Sequence, residues 1–454
     1  MAQGWSASPL KSFSSPVIHR ALLYFFIFTA SFEIFLVVNL GGNFKAAQVA
    51  LILVAFSTLV RYSATGEKLI LPNNLALLVA VLFLSLIYVP LSTLTGKSIG
   101  YSAWLALDIL SVVLFINTFR TKASLMKMLR VFLMSFIFCS GFGISQQMLT
   151  FAGIEAPLVT QYWLGGAFAR INGFNYEPSF FSTYLMIGWV FCVYLTEHGE
   201  VTLGRHLVKV TLWMTTLALF LCSSRMGWLM MILFFCRWPF YAAMHALLRH
   251  RVPKPLVRRC VFLALMGSSA LIIVLLIFDL KELGIIFNGL GVVEDYGDFS
   301  AEGRKSGYST TFETALGHIL FGSGFGGISA EIAGRQGFSI TTIEESNDFA
   351  GFNVTFELVI AVGLSGMLLM YGYFASMVLS AVSTAKQLTA TGDKELAIVV
   401  RGLALAFVWQ ILMLQFNQNI LRVYTWESLA VLATAVYAAR RSLISSSVNS
   451  IAAA

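Results

Sequence analysis

The sequence predicts an all-α, polytopic membrane protein of about twelve transmembrane helices, built as one integral domain over 1–454. Three observations predict it. The chain is 58% hydrophobic and only 11% charged, where soluble domains run near half apolar and a quarter charged. Its mean hydropathy is +0.80. Its apolar residues fall in runs close to the ~20 residues that a span needs, with basic residues gathered in the short stretches between them. The net charge of +8 is spread over those stretches, so it is no nucleic-acid signal and nucleic acid is not expected as a partner.

The elements follow in order. The first apolar run, Ala21 to Leu40, is too long for a signal-peptide core and lacks a small-residue cleavage pattern, so 20–40 is predicted as the first span. Further spans are predicted at 46–62, 74–95, 101–118, 127–151, 178–196, 207–222, 226–247, 260–280, 352–380, 397–417 and 423–440. The 46–62 and 207–222 runs are the shortest. Cys139, Cys192, Cys222, Cys236 and Cys260 form no CxxC pair and lie in or beside apolar runs, which reads as small buried hydrophobes. Neither they nor the six histidines show ligand spacing, so no structural metal is expected.

Lys and Arg in the loops set orientation. With both termini in the cytoplasm, most of the 30 basic residues fall on the cytoplasmic side. Lys45, Lys97, Arg170, Arg225, Lys281, Arg304, Lys305, Arg335 and Arg422 fall on the other. The stretch 281–351 is the one long outer loop, glycine-rich and acidic early on (Glu294, Asp295, Asp298, Glu302). Loops of that length in a compact protein are usually functional. Short helices are expected inside it, for example from Ser309 to Leu320.

Four outer constellations could carry chemistry. The first is RINGFNYEPSFFSTY, Arg170 to Tyr184, with Asn172, Asn175 and Ser179. Pro178 suits a first helical turn, which puts Glu177 at the N-cap or just before it, near the positive end of the helix dipole. One account is a cap plus a salt bridge between Arg170 and Glu177. The other is a carboxylate that accepts a proton or binds a sugar hydroxyl, with an arginine nearby for an anion. The second is Ser223-Ser224-Arg225-Met226-Gly227-Trp228, between two spans. An arginine there either snorkels to the headgroups or faces the interior and clamps a phosphate.

The third is Gly303-Arg304-Lys305 followed by Gly322-Ser323-Gly324-Phe325-Gly326-Gly327. This is either a turn between loop helices or a backbone cradle for phosphate. The fourth is Asn347-Asp348 through Asn353, then Glu357 and Gly363-Leu364-Ser365-Gly366, where Asp348 or Asn347 could cap the next span. Gln415, Asn417, Gln418 and Asn419 either line the same cavity or bond between helices. Glu33 and Asp108 read as single intramembrane acids, too few to form a relay.

The order of these motifs resembles the O-antigen polymerase and ligase superfamily, the Wzy/WaaL-type membrane glycosyltransferases of bacterial surface polysaccharides. The resemblance covers about 160–380. It rests on Arg170-x-x-Gly173 with Glu177-Pro178-Ser179, on Ser224-Arg225-Met226-Gly227-Trp228, on Gly303-Arg304 with Gly322-x-Gly324-x-Gly326, and on Asn353 ahead of Gly363-x-x-Gly366. Ligases typically carry a His-Asn pair where this chain has Phe352-Asn353, and the Glu-Pro-Ser sequence replaces their more common Asn-Pro-Asn type. Both departures favour the polymerase branch.

The resemblance implies a C-type glycosyltransferase-like fold in the bacterial inner membrane, with an active site facing the periplasm. It implies polyprenyl-diphosphate-linked oligosaccharides as substrates, the bilayer as medium, a chain-length regulator as partner and no cofactor. Glu177, Arg225 and Arg304 become the expected catalytic residues. Arg170, Asn172, Asn175, Ser179, Ser224, Lys305, Gly324, Arg335, Asn353 and Arg422 become the expected substrate-binding ones. A ligase acting on lipid A core and a polysaccharide flippase are the alternatives.

Overall fold

The computed structural model describes residues 16–39, 43–163, 166–199, 202–249, 252–277, 299–349, 351–416 and 420–453. Among the described residues there are fourteen α-helices, and 76% of those residues are helical. The helices are α1 (Pro16–Thr29), α2 (Ala46–Thr65), α3 (Leu75–Ile87), α4 (Thr95–Thr118), α5 (Lys122–Phe151), α6 (Pro178–His198) and α7 (Arg205–Leu221). They continue as α8 (Arg225–Arg249), α9 (Lys254–Ile277), α10 (Phe299–Gly317), α11 (Ile328–Arg335), α12 (Val354–Ala390), α13 (Lys394–Met413) and α14 (Val423–Ala453). Two small antiparallel hairpins interrupt them, β1 (Val37–Asn39) with β2 (Asn43–Lys45) and β3 (Tyr162–Trp163) with β4 (Phe168–Ala169).

Every predicted span contains a helix. Among the described residues seven helices, α2, α4, α5, α6, α8, α12 and α13, are long and apolar enough to cross a membrane. Their outward faces carry exposed apolar side chains such as Phe56, Met134, Leu247, Phe240, Leu368 and Leu379. An apolar surface of that extent is what a bilayer, not water, accommodates. The chain is an α-helical membrane protein.

Several boundaries differ from expectation. The first span was expected over 20–40, but α1 stops at Thr29 after 14 residues, about 21 Å of helix. Beyond it the chain leaves the helix to bury Glu33, which the sequence had placed inside a span. Conversely α12 runs on to Ala390 and α14 to Ala453. The loop helix expected from Ser309 begins earlier, at Phe299. Lys281, Glu294, Asp295, Asp298, Asn417, Gln418 and Asn419 lie outside the described residues. Among the cysteines, Cys139, Cys192 and Cys222 are buried as expected, whereas Cys236 is exposed and Cys260 half-buried.

Helix α6 is the centre of the bundle: 83% of its apolar window is buried, and α13 and α7 pack along it. Its N-terminus therefore opens in the middle of one end of the protein. Helix α12 is broken at Gly363, whose φ of 71° and ψ of 173° are not helical. The break diverts Leu364 N–H to Ile319 O (2.9 Å) and frees Ile360 O and Ala361 O to accept from Ser323 and Gly324 (2.8 and 3.0 Å). Backbone groups lost to the helix are thus satisfied by the loop, as buried backbone requires.

Candidate functional site

The site is built on the stretch that enters α6. Glu177 is the N-cap, with extended φ and ψ of −133° and 150°, and Pro178 is the first helical residue. The Glu177 carboxylate makes no hydrogen bond to the helix N–H groups; it accepts from Ser179 Oγ at 3.0 Å. It is half-buried. Capping alone therefore does not account for this acid.

Upstream, one glutamine closes the turn. Gln146 Oε1 accepts from the N–H groups of Asn172 and Gly173 (3.3 and 3.0 Å), and its amide donates to Pro157 O and Gly173 O. Gly173 has φ 55°, and a Cβ there would stand 2.8 Å from the Phe181 ring, so only glycine fits. Phe174 stacks on Phe142 with centroids 4.2 Å apart and meets Phe32 at the same distance. Its carbonyl accepts from Glu33 N and Ile34 N at 2.9 and 3.1 Å. The segment after α1 is strapped to this stretch by those two bonds.

That strap delivers Glu33 to Arg422. The two form a buried ion pair that Lys45 joins at 3.4 Å. The Arg422 guanidinium also lies 3.2 Å from the centroid of Phe180 in α6, a cation–π contact. Burial works against the charge on Arg422, but Glu33, Tyr424 and Glu177 hold it above its ordinary value. Arg422 therefore fixes the fold beside Glu177. Tyr101 of α4 stands within electrostatic reach of both Arg422 and Glu357.

Arg170 joins the first two motifs. Its guanidinium donates to Gln161 Oε1 and to Ser223 O (3.4 Å) and lies 4.7 Å from the Trp163 ring. Ser223 has φ 50°, an unusual value for a residue with a side chain. Ser224 is buried and accepts from Gly227 N at 3.4 Å, and Arg225 opens α8 half-buried. Gly227 faces α6: a Cβ there would come within 2.1 Å of Ser182 Oγ. The structure thus brings Arg170, Ser224 and Arg225 to the same end as Glu177, Ser179 and Arg422.

Asn172 and Asn175 are fully buried. The Asn172 amide donates to Leu158 O and Asn175 O and so serves the turn. The Asn175 amide has neither its Nδ2 nor its Oδ1 paired.

Other expectations are corrected. The glycine-rich segment is not a free cradle. Ser323, Gly324, Gly326 and Gly327 spend their N–H groups on Ile360 O, Ala361 O, Ser98 Oγ and Gly324 O. Cβ atoms at Gly322 and Gly326 would lie 2.2 Å from Ala361 O and 2.3 Å from Ser98 N. Gly324 has φ 75°, a Cβ there would stand 2.9 Å from Ser98 Oγ of α4, and its N–H is already used on Ala361 O. Asn353, not Asp348 or Asn347, caps α12: its Oδ1 accepts from Thr355 N and Phe356 N, and its Nδ2 donates to Gln415 O at 2.8 Å. Gln415 bonds Thr355 and Tyr371, so it ties helices together.

Arg335 is exposed, pairs with Glu313 of α10 at 3.9 Å and donates to its carbonyl at 3.4 Å, a contact between the two loop helices. Arg304 and Lys305 fall within α10, and their side chains lie outside the described residues. Phe352, at the position that the resemblance gives to the ligase histidine, packs on Gly307, leaving no room for a Cβ there.

Sequence reasoning missed the pairing of Glu33 with Arg422, the Phe180 stack and the approach of Tyr101 and Glu357. Glu33 and Arg422 are hundreds of residues apart, and Lys45, Lys97 and Arg225 were equally plausible partners. No protein-family model matches the chain, and no curated protein is significantly similar to it. Fold and site define an α-helical membrane protein with arginines and carboxylates gathered at one end of its bundle.

Proposed function

We propose that this protein polymerises polysaccharide repeat units, of O-antigen or exopolysaccharide type, in the bacterial inner membrane with its site facing the periplasm. The observation that carries the reading is that Arg170, Arg225, Glu177 and Arg422 stand at the end of the bundle where α6 begins. An acceptor sugar hydroxyl attacks the anomeric carbon of a glycan held on polyprenyl diphosphate. The new glycosidic bond forms, the bond to the diphosphate breaks, and the hydroxyl proton passes to Glu177. The diphosphate leaves with the electron pair, and no nucleotide is consumed.

Such a reaction asks the protein to position two sugars and to stabilise developing negative charge. Arg225 and Arg304 take the diphosphate. Arg170, held by Gln161 and Ser223 O, is a positioning residue for the turn that presents Arg225. Glu177 suits a proton acceptor because it reaches solvent, carries one orienting bond from Ser179 and is not used in capping.

The test is incubation of purified protein with a polyprenyl-diphosphate-linked repeat unit, with products separated on a gel. A ladder of lengthened glycans is expected. Arg225→Ala and Glu177→Gln should each slow it about a hundredfold to a thousandfold. Transfer only to added lipid A core, or a ladder unchanged in both variants, overturns the proposal.

A further inference from the structure

The opposite end of the bundle holds a second amphiphilic site. A cavity of about 360 Å³ opens among α6, α8, α9, α12 and α13, within the ~300–1,000 Å³ range of small-molecule sites. Glu197, on its wall, lies near the end of α6, roughly 30 Å along the helix from Glu177. This site is therefore separate from the one above, and the inference holds whether or not the protein polymerises glycans.

The cavity's chemistry is two-sided. Arg237, Arg259 and Arg401 line it, with Glu197 as the carboxylate. Arg237 is already engaged: it pairs with Glu197, donates to Phe234 O at 2.6 Å and lies 3.6 Å from the Phe234 ring centroid. Arg259 lies 5.4 Å from the Trp238 ring, and Arg401 donates to Thr389 Oγ1 at 3.4 Å. One carboxylate, already paired with Arg237, against three guanidinium groups leaves the cavity positive, with Arg259 and Arg401 half-buried along its wall. Beside Tyr194, His198 and Tyr241, one wall is apolar, with Val378, Val382, Leu405 and Val408. Val382 is 37% exposed and its neighbour Leu379 68%, so the apolar wall runs out onto the face that a bilayer covers.

We propose that this cavity binds one anionic glycerophospholipid of the surrounding bilayer. Its phosphate sits between Arg259 and Arg401, where guanidinium groups grip two phosphate oxygens at once. Its acyl chain follows Val378, Val382 and Leu405 out to the membrane. A free aqueous anion would use the arginines alone and leave the apolar wall and its opening onto the helix face unused. Basic pockets between membrane helices hold anionic headgroups in this manner.

Native mass spectrometry of the full purified chain tests it, with phosphatidylglycerol, phosphatidylcholine, polyprenyl phosphate or inorganic phosphate added in turn. Phosphatidylglycerol should stay bound preferentially. Its bound fraction should fall about tenfold in the Arg259→Gln/Arg401→Gln double variant and again in Val382→Trp, which fills the chain slot and leaves every arginine in place. Equal retention of phosphatidylcholine, or retention unchanged in the variants, overturns the site. Displacement by inorganic phosphate overturns the lipid occupant, and tighter retention of polyprenyl phosphate overturns the bilayer phospholipid as its source. Should the double variant fail to fold, Val382→Trp decides alone.

Discussion

Two segments stand at the same end of the bundle and are held by opposite means. Residues 322–327 are held by their backbone: their N–H groups pair with the carbonyls of broken α12 and with Ser98, and their glycines touch other backbone directly. Residues 170–184 are held by side chains: the Gln146 clamp, the Phe174 stack, the Arg170 bridge to Ser223 and the Arg422 contact with Phe180. A segment fixed through its backbone has few polar groups left to offer a ligand. One fixed through selected side chains leaves others available, here the half-buried Glu177 carboxylate. That difference is why the proposed chemistry falls on the second segment.

The largest effect that would break this comparison lies at Glu33. Glu33→Gln leaves Arg422 buried without its counter-charge, and removing one partner of a buried pair costs about 3–5 kcal/mol. Denaturant or thermal unfolding in detergent should show that loss, and Glu33→Gln with Arg422→Met should recover much of it. Burial alone would raise the Glu33 carboxyl, but Arg422 and Lys45 outweigh it and hold the group below its ordinary range. The wild-type contribution is thus complete above the unfolded carboxylate value of ~4.3 and fades as pH falls through the lower folded value. In Glu33→Gln that part of the acid dependence should vanish. A variant as stable as wild type would show that the strap after α1 does not hold the site.

The second effect separates the glycines. At Gly322 a new side chain meets the Ala361 carbonyl, which cannot swing away. Gly322→Val should therefore cost at least about 1–3 kcal/mol. At Gly334 in α11 a Cβ meets open space, so Gly334→Ala should be neutral or stabilising by up to about 1 kcal/mol. Equal tolerance at the two positions would mean that the loop is not wedged against α12.

Much of the fold was legible because burial in a membrane writes itself in composition. Each apolar run became a helix, and Glu177-Pro178 marked the start of α6 to the residue. Lys45 and Arg422, which the loop charges group on one side, do meet, at Glu33. What the sequence could not express was who satisfies whom. A glycine-rich run looks the same whether its N–H groups await a phosphate or already bond to Ile360 and Ala361. The end of α1 was hidden because Phe32, Ile34 and Phe35 are apolar enough to continue a span; the turn there follows from Glu33 seeking Arg422, a contact across the whole chain.

The smallest effect concerns Asn353, which either touches substrate or only starts α12. Its acceptor oxygen is taken by Thr355 N and Phe356 N, one amide N–H by Gln415 O, and the side chain is buried, so little remains for a sugar. Asn353→Ala should cost about 1 kcal/mol as a lost cap. Asn353→Ser keeps an acceptor oxygen for the same N–H groups and should recover most of that loss, though it cannot reach Gln415 as the amide does. Below the unfolding midpoint, both variants should elongate glycans at the wild-type rate per folded molecule. A substrate contact predicts the reverse pattern: serine and alanine equally slow, each with nearly unchanged stability. The rate measured against the stability of this pair therefore tells a cap from a binding group, and it does so at a residue where the glycosyltransferase resemblance and the hydrogen bonds disagree.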